Sequence, residues 1–305
     1  MYMGMPRALV TGSAGFVGRH FVRFLRDRGW TVLEIDVREG RDARDFFCAG
    51  PPVCTPYDLV LHCAAVVGGR QIIDNAPLAQ AVNLELDAGL FSWAAQAQPA
   101  RVVYFSSSAV YPVRLQERRS RSQLLREDDV EPFTSAMVSR PDQLYGWAKL
   151  TGEMLADRAR RMGLGVTVVR PFSGYGSDQD DCYPFPAFID RALAREDPFT
   201  VWGTGEQVRD FIHIDDIVSA VMTLAEHEEP GPFNLCSGRA VTLSTLASMV
   251  CGAAGYSPQI EHITTAPAGV HHRVGDSRLA DRFYTPRIPL PLGIEWALKH
   301  RRGVL

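Results

Sequence analysis

Two side chains in the stretch LYGWAKLTGE are spaced to work together. Tyr145 and Lys149 stand four residues apart, and positions i and i+4 of a helix share a face. A tyrosine hydroxyl, with a reference pKa of about 10, is a poor base near neutrality. A lysine ammonium beside it favours the phenolate and makes the pair a candidate proton carrier. Such a site also needs a hydroxyl that holds a substrate oxygen against the tyrosine. FSSSAVYP (105–112) supplies one at the end of an apolar, strand-like run.

A second constellation sits near the amino terminus. TGSAGFVG places Gly12, Gly15 and Gly18 directly after the apolar run 7–12 and at the start of a helical pattern. The first glycine permits a tight turn, the second lets backbone approach a pyrophosphate, and the third lets helix and strand pack closely. A helix N-terminus offers free N–H groups and a favourable dipole to phosphates. Asp36 closes the next strand-like run, where a carboxylate can bind the ribose hydroxyls of adenosine. Its charge would repel a 2′-phosphate, which selects NAD over NADP, although Arg38 lies close by.

These residues need a scaffold, and the chain encodes one. RALVTG (7–12), TVLEID (31–36), DLVLHCAA (58–65), RVVYFSSS (101–108) and VTVVRP (166–171) read as strands. Between them lie amphipathic stretches, with Phe16, Val17, Phe21, Phe24 and Leu25 at helical spacing before Gly29, and a helix over roughly 76–97. Alternating strands and helices predict an α/β fold, a Rossmann-type doubly wound parallel sheet. The second half is less regular, with RDFIHIDDIVSAVMTLAEH reading as a short strand and then a helix. Its shorter elements predict a smaller α/β substrate-binding domain. The expected division assigns 1–171 plus about 206–230 to the dinucleotide domain, and about 172–205 plus 231–305 to the other. Residues 113–140 form a charged connection longer than most loops, expected to act as a lid or mobile segment.

Taken together, TGSAGFVG, Asp36, LHCAA, Asn83, FSSSAVYP, YGWAK, RPFSGYG, VWGTGEQVRDFIHIDD and FNLCSG resemble an extended short-chain dehydrogenase/reductase of the nucleotide-sugar epimerase and dehydratase group. The resemblance implies NAD on the first domain and a nucleoside-diphosphate sugar between the two domains. It makes Ser107, Tyr145 and Lys149 the catalytic residues. It sets the cofactor against Gly12, Gly15, Phe16, Val17 and Asp36, and then against Ala64, Ala65, Tyr145, Lys149 and Pro171. It gives the substrate Ser107, Ser108, Asn83, Ser173, Arg209 and Arg273, with Arg209 on the diphosphate. A planar, permanently charged guanidinium suits that task. It also implies a homodimer built from the helices near 80–97 and 143–162.

Two positions narrow the reaction. Dehydratases of this group carry an Asp-Glu pair after the catalytic Ser/Thr, where this chain has Ser108 and Ala109. AAVVGG, SSSAVYP and VWGTG also resemble the GDP-fucose synthase group, which uses a cysteine at the position of Ala109 and a histidine near that of Tyr183. What remains is a redox core, expected to invert C4 of a nucleotide sugar through a transient 4-keto sugar. The alternatives are an NAD(P)H-dependent 4-keto-sugar reductase, a dehydratase, or an NAD-binding protein without turnover.

The composition excludes other classes. With 46% hydrophobic and 22% charged residues and a net charge of −3, nothing calls for nucleic acid or an anionic membrane. The arginines 118, 119 and 121 read as a solvated loop. The six cysteines show no metal or redox spacing, and adjacent His271 and His272 are poorly placed to share a metal. No apolar run is long enough to span a bilayer, and a cytoplasmic setting is expected.

Overall fold

The computed structural model describes residues 5–51, 57–68, 78–117, 123–130, 140–266 and 269–304. Arg118, Arg119, Arg121 and Cys54 lie outside the described residues, as do 131–139. The strands of the first half are β1 (Arg7–Thr11), β2 (Thr31–Ile35), β3 (Leu59–His62), β4 (Val102–Phe105) and β5 (Val166–Pro171). Those that follow are β6 (Ser173–Tyr175), β7 (Phe199–Trp202), β8 (Val208–Arg209), β9 (Phe211–His213), β10 (Phe233–Leu235), β11 (Val241–Thr242), β12 (Ile260–Ile263) and β13 (His272–Arg273). The helices are α1 (Phe16–Arg26), α2 (Ala43–Cys48), α3 (Ala79–Ala97), α4 (Gln143–Arg161), α5 (Pro184–Leu193), α6 (Ile214–Glu226), α7 (Leu243–Ala254) and α8 (Leu290–Arg301).

Six strands form one parallel sheet in the order β10-β5-β4-β3-β1-β2. Its central strands LVLH and VVYF are buried throughout, as expected where helices cover both faces. The two-residue strand period divides the core. Ala8, Val10, Leu61 and Val103 pack with Phe21 and Leu25 of α1 and Val221 and Leu224 of α6. Leu9, Val60, Val102 and Tyr104 pack with Phe47 of α2, Leu90 and Trp93 of α3, and Ala156 of α4. The chain leaves β1 toward β2 on one side and returns as β3 on the other, so the strand order reverses there. Open α/β sheets bind ligands at such a crevice.

The sheet reaches beyond the boundary suggested by the sequence pattern. Phe233, Asn234 and Leu235 are buried and pair with Val169, Arg170 and Pro171, so β10 completes the sheet from within the stretch assigned to the second lobe. That lobe has its own core, with Phe185, Phe199, Phe211, Leu246 and Ile294. Three small sheets frame it: β11-β8-β13, β12-β7 and β6-β9. The described parts of the 113–140 connection are tied down. Buried Leu125 donates its N–H to Val274 O and accepts from Asp276 N, and Arg170 Nη1 donates to Glu127 O at 3.0 Å.

Candidate active site

The glycine loop lies at the crevice between β1 and β3. Gly12 has φ +68°, and a Cβ there would meet the backbone N of Ala64 at 2.6 Å. A Cβ on Gly18 would stand 2.1 Å from Gly12 O. Neither position has room for a side chain. Gly15 caps α1 without a side-chain hydrogen bond, and the first turn carries no acid. The amides of that turn therefore have no side-chain cap competing for them. Asp36 is buried, and its carboxylate accepts from Ala14 N at 3.0 Å and Arg38 N at 2.8 Å. A carboxylate has about four acceptor sites, so about two remain for hydroxyl groups. Arg38 Nη1 reaches Ala14 O at 3.2 Å. These features fit a dinucleotide, which Gly15, Phe16, Val17 and Asp36 would hold.

The three serines after β4 take three different roles. Ser106 Oγ donates to Glu153 Oε1 at 2.5 Å. Glu153 is held in turn by Arg170 in a two-pronged pair at 2.8 and 2.7 Å. Ser108 is buried at the start of a single 3-10 turn, Ser108–Val110. Ser107 caps that turn, its Oγ accepting from Ala109 N at 3.1 Å. Its own proton is then free to be donated onward.

Helix α4 packs tightly on this turn. A Cβ on Gly146 would stand 2.3 Å from Ala109 O, and Asp142 N donates to that carbonyl at 2.9 Å. The glycine of YGWAK is thus a close-approach residue, and it brings the first turns of α4, with half-buried Tyr145, against the serine turn. Lys149, one turn later, is 2% exposed. Tyr183, at the start of α5, lies within electrostatic reach of Tyr145. Burial, with Tyr145, Cys182 and Asp180 adding to it, pushes its phenol up.

Of the expected substrate residues, two arginines come together. β13 pairs with β8 so that Arg273 stands opposite Arg209. Arg209 Nη1 donates to Val208 O at 2.8 Å. Arg273 donates to Gln116 Oε1 at 2.5 Å and to Asp142 Oδ2 at 2.7 Å. Asp142 precedes α4, so this arginine joins the second lobe to the helix bearing Tyr145. Asn83 is buried: its amide pairs with both backbone groups of Val66, at 2.6 and 3.0 Å, and with Gln80. It shapes the loop after β3 that carries Ala64 and Ala65. Pro171 ends β5 and Ser173 opens β6, where Ser173 N donates to Asp210 O.

Sequence reasoning did not single out Gln116, Asp142 or Asp87. Asp87 is buried four residues after Asn83, on the helix face that also buries Leu90 and Phe91. An acid at i+4 on an apolar helix face was the available signal.

Residues 8–236 match the family model described as NAD dependent epimerase/dehydratase family. The chain belongs to that family. A dTDP-4-dehydro-6-deoxy-D-allose reductase from Streptomyces sp is 31% identical over 325 residues, covering 96% of this chain and 97% of the relative. GDP-L-fucose synthase 1 of Arabidopsis thaliana is 27% identical over 317 residues, covering 96% and 94%. Among solved structures, MoeE5 in complex with UDP-glucose and NAD is 28% identical with TM-score 0.80, covering 98% of this chain and 100% of that one. UDP-glucose 4-epimerase of Thermus thermophilus shares the fold at TM-score 0.80 and 23% identity, covering 98% and 100%. The chain is thus an enzyme of the NAD-dependent epimerase/dehydratase family. Among the described residues, no helix is long and apolar enough to cross a membrane.

Proposed function

We propose that the protein is an NAD-dependent nucleotide-sugar epimerase that inverts C4 through a transient 4-keto sugar. The observation that carries this reading is a set of groups for proton transfer to oxygen, with no acid or thiol at the two positions that follow Ser107. Ser107, Tyr145 and Lys149 are present, while the neighbouring positions hold buried Ser108 and Ala109, with no carboxyl and no thiol. Burial pushes the phenol of Tyr183 upward, which disfavours its phenolate.

The glycine loop, the first turn of α1 and Asp36 would hold NAD, which supplies the hydride acceptor and, on reversal, the hydride donor. MoeE5, similar in sequence and fold, is described in complex with UDP-glucose and NAD, which supports the same ligand classes here. Tyr145 takes the proton of the C4 hydroxyl and later returns it. Ser107 donates a hydrogen bond to the same oxygen, keeping its own proton, and holds it in place. Lys149 provides the positive charge that favours the phenolate. Arg209, with Arg273 beside it, would anchor the diphosphate while the ketone turns over. Every protein group ends where it began.

A second reading is favoured by one observation, the 31% identity to a dTDP-4-dehydro-6-deoxy-D-allose reductase. Tyr145 would then donate one proton to a 4-keto sugar while NAD(P)H is consumed. The two readings separate on one preparation. The protein is purified without added cofactor and denatured, and the released nucleotide is identified by mass. A panel of UDP-, GDP- and dTDP-sugars is then screened for C4 inversion. Bound NAD and inversion without net cofactor consumption are expected. An empty site that prefers NADPH, and consumes it one for one with a 4-keto sugar, overturns the epimerase.

A further inference from the structure

We propose that Asp87 is the buried counter-ion of Lys149, a positioning residue that keeps the lysine charged and in place beside Tyr145. This rests on the catalytic reading above and adds to it a residue on a different helix.

Five elements converge on the Asp87 carboxylate. It projects from α3 and is 1% exposed. Oδ2 accepts from Tyr104 OH of β4 at 2.6 Å. Oδ1 lies 4.0 Å from Lys149 Nζ of α4 and 3.4 Å from His62 Nε2 of β3. Among the described residues, neither Oδ1 nor His62 Nε2 has a hydrogen-bond partner. On the far side of the imidazole, Nδ1 meets Thr11 Oγ1 of β1 at 2.8 Å. Lys149 Nζ also lies 5.0 Å from the centre of the Tyr104 ring. Room for this arrangement comes from Gly152 of α4, where a Cβ would stand 1.8 Å from Tyr104 OH and 2.8 Å from Asp87 Oδ2.

The charges around the carboxylate sort as follows. Burial pushes the His62 imidazole down against the pull of Asp87, so it is neutral near pH 7. Burial and the neighbouring carboxylate push the Tyr104 phenol far up, so it remains a donor. Burial also pushes the Cys63 thiol up. Burial opposes the charge on Asp87, but the Lys149 ammonium, the nearby His62 and the hydrogen bond from Tyr104 outweigh it. Tyr145 and Glu153 add a more distant negative influence at Tyr104. Asp87 and Lys149 are thus a buried acid and a buried base whose polar atoms stand 4.0 Å apart. A buried charge stripped of its partner is strongly disfavoured and tends to neutralise.

The sequence allows a direct test, because Lys149 and Lys299 are the lysines of the chain and Lys299 is exposed. Lysine labelled with nitrogen-15 at Nζ gives one NMR signal for the site and one internal control. In Asp87→Asn, the pH at which Lys149 loses its proton should fall by at least about one unit, with Lys299 unmoved. Tyr104→Phe removes one hydrogen bond but no charge and should move the Lys149 midpoint less than Asp87→Asn does. The alkaline limb of kcat should move down with the Lys149 signal in Asp87→Asn. If Asn is not accommodated, Asp87→Thr is the second neutral variant. Equal Lys149 midpoints in wild type and a folded neutral variant overturn the proposal. The NMR reading needs no substrate, so a wild type inert on every nucleotide sugar sinks the catalytic reading while the counter-ion is judged separately.

Discussion

Replacing Tyr145 with phenylalanine removes a single oxygen from a half-buried ring and leaves the packing of α4 on the serine turn in place. The expected result is a loss of kcat on the order of 10²–10⁴-fold, with NAD affinity little changed. Conversion that survives this substitution at near wild-type rate would remove Tyr145 from the mechanism. Asp36 makes a different prediction, because its carboxylate serves the backbone as well as the ligand. Asn keeps the acceptor for Ala14 N or Arg38 N but removes the charge facing a 2′-phosphate. Asp36→Asn should shift the ratio of NADP to NAD affinity by on the order of tenfold or more toward NADP, measured by titration of the cofactor-free protein. At this scale much of the site was readable. Gly12 and Gly18 were readable from steric needs that spacing exposes, as was the shared helix face of Tyr145 and Lys149. The division of labour among Ser106, Ser107 and Ser108 was not, because three identical hydroxyls differ only in the neighbours that Glu153 and the 3-10 turn bring to them.

Helix α1 is held at both ends of its role, by the glycine loop it follows and by a clasp along its flank. Arg19 and His20 bind Asp178, in the turn between β6 and α5, at 2.8 and 3.0 Å. Asp215 at the start of α6 lies 3.7 Å from His20, and Arg23 completes the group at 2.9 Å. Burial and, more weakly, Arg23 oppose charge on His20, but the bond to Asp178 and the nearby Asp215 carboxylate outweigh them and raise its pKa. Its contribution to stability is therefore complete below the unfolded value of about 6.5 and is lost as pH rises through the folded one. Burial opposes charge on Asp178 too, but His20 and Arg19 hold its pKa well below the usual carboxylate range. That contribution is complete above about 4 and is lost as pH falls toward the folded value. The clasp is strongest between about pH 4 and 6.5. In wild type the urea midpoint should decline on both sides of this window, and in Asp178→Asn both declines should flatten. Matching pH profiles would show that the clasp carries no linkage.

Between the two lobes, Arg209 and Arg273 are adjacent through the pairing of β8 with β13. Arg209→Ala should raise KM for a nucleotide sugar at least about tenfold with a smaller change in kcat, and an unchanged KM would place the diphosphate elsewhere. The outer faces of α3 and α4 make a prediction for the assembly. Leu144, Trp147 and Met154 are exposed on α4, Trp147 at 42%, and Leu84 is exposed at 42% on α3. Positions 144, 147, 151 and 154 form one stripe at helical spacing, and neighbouring apolar faces of this kind mark an interface. A second copy of the chain is the expected occupant. Light scattering should give twice the chain mass for wild type and a shift toward the monomer for Trp147→Glu. A monomeric wild type would remove the dimer.

The sequence by itself determined the sheet, the glycine loop and the Tyr145–Lys149 pair, because each depends on a short period or a local steric need. Short continuous apolar runs build β1, β3 and β4, and residues four apart on a helix are neighbours wherever that helix lies. Tertiary structure alone decided the rest. It placed β10 at the sheet edge, spent the Asn83 amide on Val66, and tied Arg273 to Asp142, 131 residues away. It also gathered Thr11, His62, Asp87, Tyr104 and Lys149 from five elements around one carboxylate. Those are contacts between distant segments, and their partners are chosen by how helices pack on a sheet, which no local pattern records.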